Sequence, residues 1–198
     1  MAQKLATTAR TGRDNQSKSI GKVLHPLTGC SAPEACEQKY CGVTFVSSFA
    51  DMVVLSGYGT QGERLVAGVV PLSKDKKKVL LIQSTRRGGW VLPKGGWETD
   101  EGTAEEAACR EAWEEAGIEC KIQKDLGKIP DQRPANQLTS HAPKAMFQFY
   151  EVSVEKEASQ WPEKHKRGRQ WMSYTEAKEA LTPRPELLEA LNRSSVVR

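Results

Sequence analysis

The segment from Gly95 to Ile118, GGWETDEGTAEEAACREAWEEAGI, constrains this chain more than any other. Thr103 with Glu106 three residues on carries the signature of a capping box, and Gly117 is a natural helix stop, so a helix is predicted between them. Ala104, Ala107, Ala108 and Ala112 give that helix good intrinsic propensity. Glu111, Glu114 and Glu115 stand at i, i+3 and i+4, which places them on one side of it. Three adjacent carboxylates repel one another and weaken an isolated helix. A hard divalent cation offsets that repulsion directly, and magnesium suits one or two carboxylates together with substrate phosphates. Arg110, four residues before Glu114, can hold or screen one of the carboxylates. The bland alternative is a solvated acidic face, and the triplet alone would favour it. The Gly-Gly loop in front of the helix, fed by Trp90-Val91-Leu92-Pro93, moves the weight towards a site.

The rest of the chain divides around this segment. Residues 64 onward hold strand patterns at Leu65–Leu72, Val79–Ser84, Ile118–Asp125 and Ala145–Val154, and helix patterns at Thr175–Leu181 and Pro185–Asn192. Lys94 to Gly102 reads as a loop, as does Pro130 to Lys144, which contains Arg133, His141 and Lys144. Trp90, Trp113 and Trp171 read as packing residues, and Cys109 as packed between the helix and a sheet. Residues 1 to about 62 show no sustained period, apart from a β-rich stretch from Val43 to Leu55.

Bulk properties exclude several classes. With 198 residues, 38% hydrophobic and 27% charged, the chain is globular and long enough for one ordinary core. No apolar run approaches the length needed to span a bilayer. Met1 to Ser19 has basic residues but no apolar block, and Asp14 breaks the acid-poor pattern of a transit peptide, so a cytoplasmic protein, also entering the nucleus, is expected. The net charge of +4 is too modest to call for a specific nucleic-acid partner. Five cysteines without a leader are expected to be free thiols. His25, Cys30, Cys36 and Cys41 could be read as zinc ligands, but they lack the tight C-x-x-C pair of most structural zinc sites.

The acidic helix and its loop resemble the Nudix box, G-x5-E-x7-R-E-U-x-E-E-x-G-U with U apolar. Gly95, Glu101 and the run Arg110 to Ile118 fill every defined position, with one extra residue between Glu101 and Arg110, at the loop-to-helix junction. ERLVAGVVPLS (Glu63 to Ser73), KKKVLLIQST (Lys76 to Thr85), WVLPKGGWE (Trp90 to Glu98) and RPELLEALNRS (Arg184 to Ser194) are similar to fungal diphosphoinositol polyphosphate phosphohydrolases. TARTGRDNQ (Thr8 to Gln16) is similar to the start of the same proteins. About forty residues, roughly 17–57, then look like an insert relative to that family, poorly ordered and conceivable as a translated intron.

The resemblance implies an α/β/α sandwich with a mixed β-sheet over residues 63–198, preceded by an irregular extension over 1–62. It implies magnesium-dependent hydrolysis of phosphoanhydride bonds in diphosphoinositol polyphosphates, and also in diadenosine polyphosphates and inorganic polyphosphate, with manganese as a substitute metal. Carried over by motif, Glu111 and Glu115 are metal ligands, a backbone carbonyl near Lys94 or Gly95 completes the metal shell, and Glu114 is the general base. The small, highly anionic substrate is met by Arg64, Ser84, Thr85, Arg86, Lys94, Arg167 and Arg184, with Arg10 and Arg13 as candidates to fold back onto it. Arginine suits bidentate phosphate binding. Two other readings stay open: a Nudix pyrophosphatase on ADP-ribose, another nucleotide or capped RNA, and a Nudix fold that binds nucleotide or RNA without cutting. The intact REAWEEAG run weighs against the last.

Overall fold

A computed structural model describes residue 59, residues 62–139 and residues 143–198. The N-terminal extension with its insert, the Val43 to Leu55 stretch, the His25–Cys41 cluster, Arg10, Arg13 and His141 lie outside the described residues.

Seven strands form one mixed sheet: β1 (Arg64–Leu72), β2 (Lys78–Gln83), β3 (Trp90–Val91), β4 (Lys94–Gly96), β5 (Ile118–Pro130), β6 (Ala145–Glu157) and β7 (Arg169–Ser173). The order is β3-β2-β1-β6-β5, with β4 added to β1 and β7 to β2. β1 and β6 run parallel from Arg64↔Ala145 to Leu72↔Ser153, and the remaining pairs are antiparallel. Three helices complete the fold: α1 (Ala104–Ala116), α2 (Tyr174–Leu181) and α3 (Pro185–Arg193).

The sequence explains where the helices go. Val66 to Leu72 and Val79 to Ile82 are buried without alternation, which requires cover on both faces of the strands. α1 packs on β1, β4 and β5, while α2 and α3 pack on each other and reach β2, β3 and β5. The expected sandwich, a mixed sheet flanked by helices, is therefore the observed one. Its core includes Leu80, Leu81, Ile82, Leu92, Phe149, Leu187 and Leu191, all fully buried. Each contributes roughly 1.5–3 kcal/mol relative to exposure. Trp90 and Trp171 pack against that core, as expected.

α1 starts and stops where its caps predict, with a variation. The Thr103 hydroxyl accepts from the Glu106 N–H at 3.2 Å, but the Glu106 carboxylate accepts from the Gly102 N–H rather than from Thr103. A full capping box forms instead at α2, between Ser173 and Glu176. Gly117 closes α1 at φ 64° in the left-handed region, and a Cβ there would meet Trp161 at 2.6 Å.

The stretch expected as a loop from Lys94 is first a strand. Lys94, Gly95 and Gly96 pair with Gly68, Ala67 and Val66 of β1. Gly68 makes this approach close, since a Cβ there would lie 2.7 Å from the Lys94 Cβ and 2.9 Å from the Pro93 carbonyl oxygen. This short strand brings the front of the acidic segment under the helix that follows it.

Candidate active site

Three carboxylates of α1 line one cavity together with Lys94 and Gly95 of β4. Glu111 and Glu114 are buried, and the side chain of Glu115 is only 12% exposed. Each carboxylate has a cationic or N–H partner, and Glu111 and Glu114 share one. The Arg110 Nη1 lies 2.8 Å from Glu111 and 3.3 Å from Glu114. The Lys94 backbone N–H donates to Glu115 Oε2 at 2.8 Å, and Arg167 Nη1 lies 3.0 Å from Glu115 Oε1. Among the described residues no three acidic, histidine or cysteine side chains already converge as a finished metal cage. Nearby cations account for that, because Glu111 and Glu114 turn to Arg110 while Glu115 turns to the Lys94 N–H and Arg167.

Arg110 also resolves the extra residue in the box. Its Nε donates to Glu101 Oε1 at 2.6 Å and its Nη2 to the Gly96 carbonyl at 2.8 Å, while Glu101 Oε2 accepts from the Glu98 N–H at 2.9 Å. The loop absorbs the insertion, and Glu101 still reaches the arginine that precedes the three glutamates. The arginine expected to screen one carboxylate screens several and ties the loop to the helix.

The electrostatics are those of a crowded acidic cluster. Burial, then the charge of Glu115, push the Glu111 carboxyl well above its usual range, to about 8. Burial also raises Glu115, against the pull of Lys94 and Arg167. The Lys94 ammonium is lowered, chiefly by burial, with Glu115 opposing. Glu98 is raised by burial, and its Oε2 is buried with no hydrogen-bond partner among the described residues.

These groups suit a hard divalent cation. All the donors are oxygens, the carboxylates carry excess negative charge, and Gly95 leaves the space that the Glu111 carboxylate fills. A Cβ on Gly95 would lie 2.1–2.3 Å from that carboxylate. Glycine at this position is a steric requirement of Glu111.

One cavity of about 490 Å³ gathers the expected site. Arg64, Ser84, Thr85, Arg86, Lys94, Gly95, Glu111, Glu114, Glu115, Arg167 and Arg184 all line it. They arrive from separate elements: Arg64 opens β1, Ser84 to Arg86 follow β2, Lys94 and Gly95 are in β4, and Arg184 caps α3. Arg86 and Thr85 are exposed, whereas Arg167 is nearly buried and already ion-paired, and Arg184 pairs with Glu186 at 3.1 Å.

The same wall contains residues the sequence reading left out of the site: Arg87, Glu98, Arg133, Glu163, Lys166 and Glu186. Arg133 is held by Asp131, with its Nε 2.9 Å from Oδ1, and its Nη2 donates to the Pro143 carbonyl. Hydrogen bonding and charge from Asp131 raise the Arg133 guanidinium further. Glu163 pairs with Arg167 at 2.6 Å and with Lys166 at 3.2 Å. The spacing of Glu163 to Lys166 and Arg167, at i+3 and i+4, was the available signal for that group.

Comparison with known proteins bears on this arrangement. A NUDIX domain model matches residues 62–191. Nudix hydrolase 21, chloroplastic, of Arabidopsis thaliana is 37% identical over 129 residues, covering 62% of this chain and 62% of that protein. Nudix hydrolase 4 of the same plant is 35% identical over 135 residues, 63% of this chain and 62% of its own length. The chain thus spans about three-fifths of each of these relatives. Nudix hydrolase 16, mitochondrial, also from Arabidopsis thaliana, is 37% identical over 133 residues and is covered over 73% of its length. Among solved structures, a NUDIX hydrolase from Nitrosomonas europaea superposes with a TM-score of 0.55 at 17% identity, over 66% of this chain and 87% of that one. A binary complex of Caenorhabditis elegans Ap4A hydrolase gives 0.52 at 21% identity, over 65% and 93%. At such identities the structural likenesses speak to the fold.

Proposed function

The chain belongs to the Nudix family, and from that premise we propose that it is a magnesium-dependent hydrolase of phosphoanhydride bonds in diphosphoinositol polyphosphates. Diadenosine polyphosphates and inorganic polyphosphate are further substrates of this reading. The observation that carries it is the meeting, in one cavity, of three glutamates from a single helix face with cations from the ends of several other elements. A carboxylate cluster alone would serve any metal. A wall bearing Arg64, Arg86, Lys94, Arg167 and Arg184 serves a ligand with many phosphates.

In this mechanism Glu111 and Glu115, with the backbone at Lys94 and Gly95, would hold magnesium, or manganese in its place, which would supply a lowered pKa for bound water and neutralise phosphate oxygens. Glu114 takes the proton from the attacking water. Its burial restricts its motion, and Arg110 at 3.3 Å fixes the carboxylate. The Glu111 carboxyl, raised by burial and by Glu115, would have to release its proton to serve as a ligand, so metal affinity is expected to rise with pH. Arg64, Ser84, Thr85, Arg86 and Lys94 orient the polyphosphate and stabilise the charge that builds during transfer.

The test is phosphate release from a diphosphoinositol pentakisphosphate, with and without magnesium, in wild type and Glu114→Gln. Magnesium-dependent release that falls by about 10³-fold or more in the variant supports both substrate and base. Turnover of ADP-ribose or a dinucleoside polyphosphate in its place moves the substrate within the family. Binding without any turnover makes the chain a non-catalytic member.

A further inference from the structure

Arg167 is shared between two acids on different parts of the fold. Its Nη1 lies 3.0 Å from Glu115 Oε1 on α1, and its Nη2 lies 2.6 Å from Glu163 Oε2 in the segment before β7. The three side chains are 9%, 12% and 9% exposed for Arg167, Glu115 and Glu163. The arrangement is incompletely satisfied: Arg167 Nε is buried with no hydrogen-bond acceptor among the described residues, and the Glu163 contact is an ion pair outside hydrogen-bond alignment. Glu163 itself is anchored. Its N–H donates to the Glu114 carbonyl at 3.1 Å, and its carbonyl accepts from the N–H groups of Lys166 and Arg167. The acid that grips Arg167 is thus tied by its backbone to the turn of α1 that presents Glu114 and Glu115.

We propose that Glu163 is a positioning residue: by holding Arg167 in common with Glu115, it lets cation binding at Glu115 turn the guanidinium towards a phosphate of the substrate. The proposal rests on the reading that the α1 carboxylates bind a divalent cation. A cation at Glu115 competes with Arg167 for the same lone pairs and repels its charge. Arg167 cannot leave, because Glu163 still holds Nη2. It pivots about that contact and exposes the Nη1 edge to the cavity, where a phosphate replaces the lost carboxylate. The planar fork of arginine permits this exchange of one edge while the other stays bound. A lone ion pair between Glu115 and Arg167 would either block the cation or release the arginine altogether.

The two variants shift metal affinity in opposite directions, which separates the idea from general loss of structure. Manganese alone is titrated into the full chain and followed by electron paramagnetic resonance, with thermal melting to confirm folding. Arg167→Gln removes the competitor and tightens manganese binding by about fivefold. Glu163→Gln leaves Glu115 as the only holder of Arg167 and weakens manganese binding by a similar factor. Arg167→Lys keeps the charge but not the two-edged fork, and gives an affinity between those of wild type and Arg167→Gln. In wild type, magnesium also speeds modification of Arg167 by phenylglyoxal, read by peptide mass spectrometry. Equal-direction shifts in the two variants, or unchanged Arg167 reactivity on adding magnesium, overturn the proposal. A wild type that binds no manganese fails the metal reading on which it rests, and is thereby distinguished.

Discussion

Gly95→Ala tests the geometry of the acidic cluster with one methyl group. The new Cβ would lie 2.1 Å from one Glu111 carboxylate oxygen and 2.3 Å from the other, against an ordinary contact of 3.4–4 Å. The carboxylate therefore has to retreat by at least about 1 Å, a displacement that can cost ~10²-fold in rate at a reacting centre. The fold has much less to lose. The obstructing atoms end a flexible side chain, and Arg110 keeps Glu101 and the Gly96 carbonyl when the 2.8 Å contact to Glu111 is broken. Lost pairing of about 1 kcal/mol is partly offset by the reduced freedom of the unfolded chain. The expected result is magnesium-dependent phosphate release reduced ~100-fold or more, with a urea midpoint near that of wild type. Gly68→Ala is the control. Its Cβ would meet the Phe149 ring at 2.6 Å and the Pro93 carbonyl at 2.9 Å, neither of which can swing aside, so stability falls by about 1–3 kcal/mol. Near-native activity in folded Gly95→Ala would refute the assignment of Glu111 to the metal, and a loss explained by unfolding would refute the claim that the fold has little to lose.

Two further outcomes follow from the geometry. Arg169→Ala removes hydrogen bonds to the carbonyls of Ala116, Gly117 and Ala158 and the stacking of the guanidinium 4.4 Å over Trp161, and it should destabilise the protein by about 3 kcal/mol in urea denaturation. Because the Glu111 carboxyl is raised from its ordinary value of 4.5 to about 8, the folded chain holds a proton there that the unfolded chain releases; stability of metal-free protein should fall by at least about 1 kcal/mol as pH rises across that window. Melting temperatures at pH 5.5 and pH 8 in chelator check the sign, and saturating magnesium should remove the fall by favouring the ionised folded form.

The legibility of the molecule in its sequence varied with the range of the interactions. α1 could be read in full because its signals are local: a Thr103 cap, a Gly117 stop and a 3.6-residue period. β1 and β2 were legible as apolar runs. β4 was not, since Lys94-Gly95-Gly96 has no strand propensity and is paired only because Gly68 admits it. β5 continues to Pro130, beyond the expected Asp125, through register shifts at Ile122/Lys124 and Asp125/Gly127 that break its alternation. The motif placed the three glutamates and Arg110, and the structure brings the expected cations to the same cavity. Glu163 was left out of the site because its importance lies in a distant partner: Glu115 is 48 positions from it, across an ion pair made through Arg167. Likewise, nothing local to Trp161 announces that it packs on Gly117 at the end of α1.

β1 carries a consequence for how the protein can change. It is bonded to β6 along its whole length and on its other side to β4 and then β2. Its amides should exchange with deuterium only when the entire domain opens, while those in the turn from Ser84 to Gly89 exchange through small local openings. Glu111, Glu114 and Glu115 ride on a helix packed against that interior, whereas Arg86 and Arg87 sit on the exposed turn. Substitutions in that turn should therefore change the charge lining the cavity while leaving α1 and the strands beneath it unaltered.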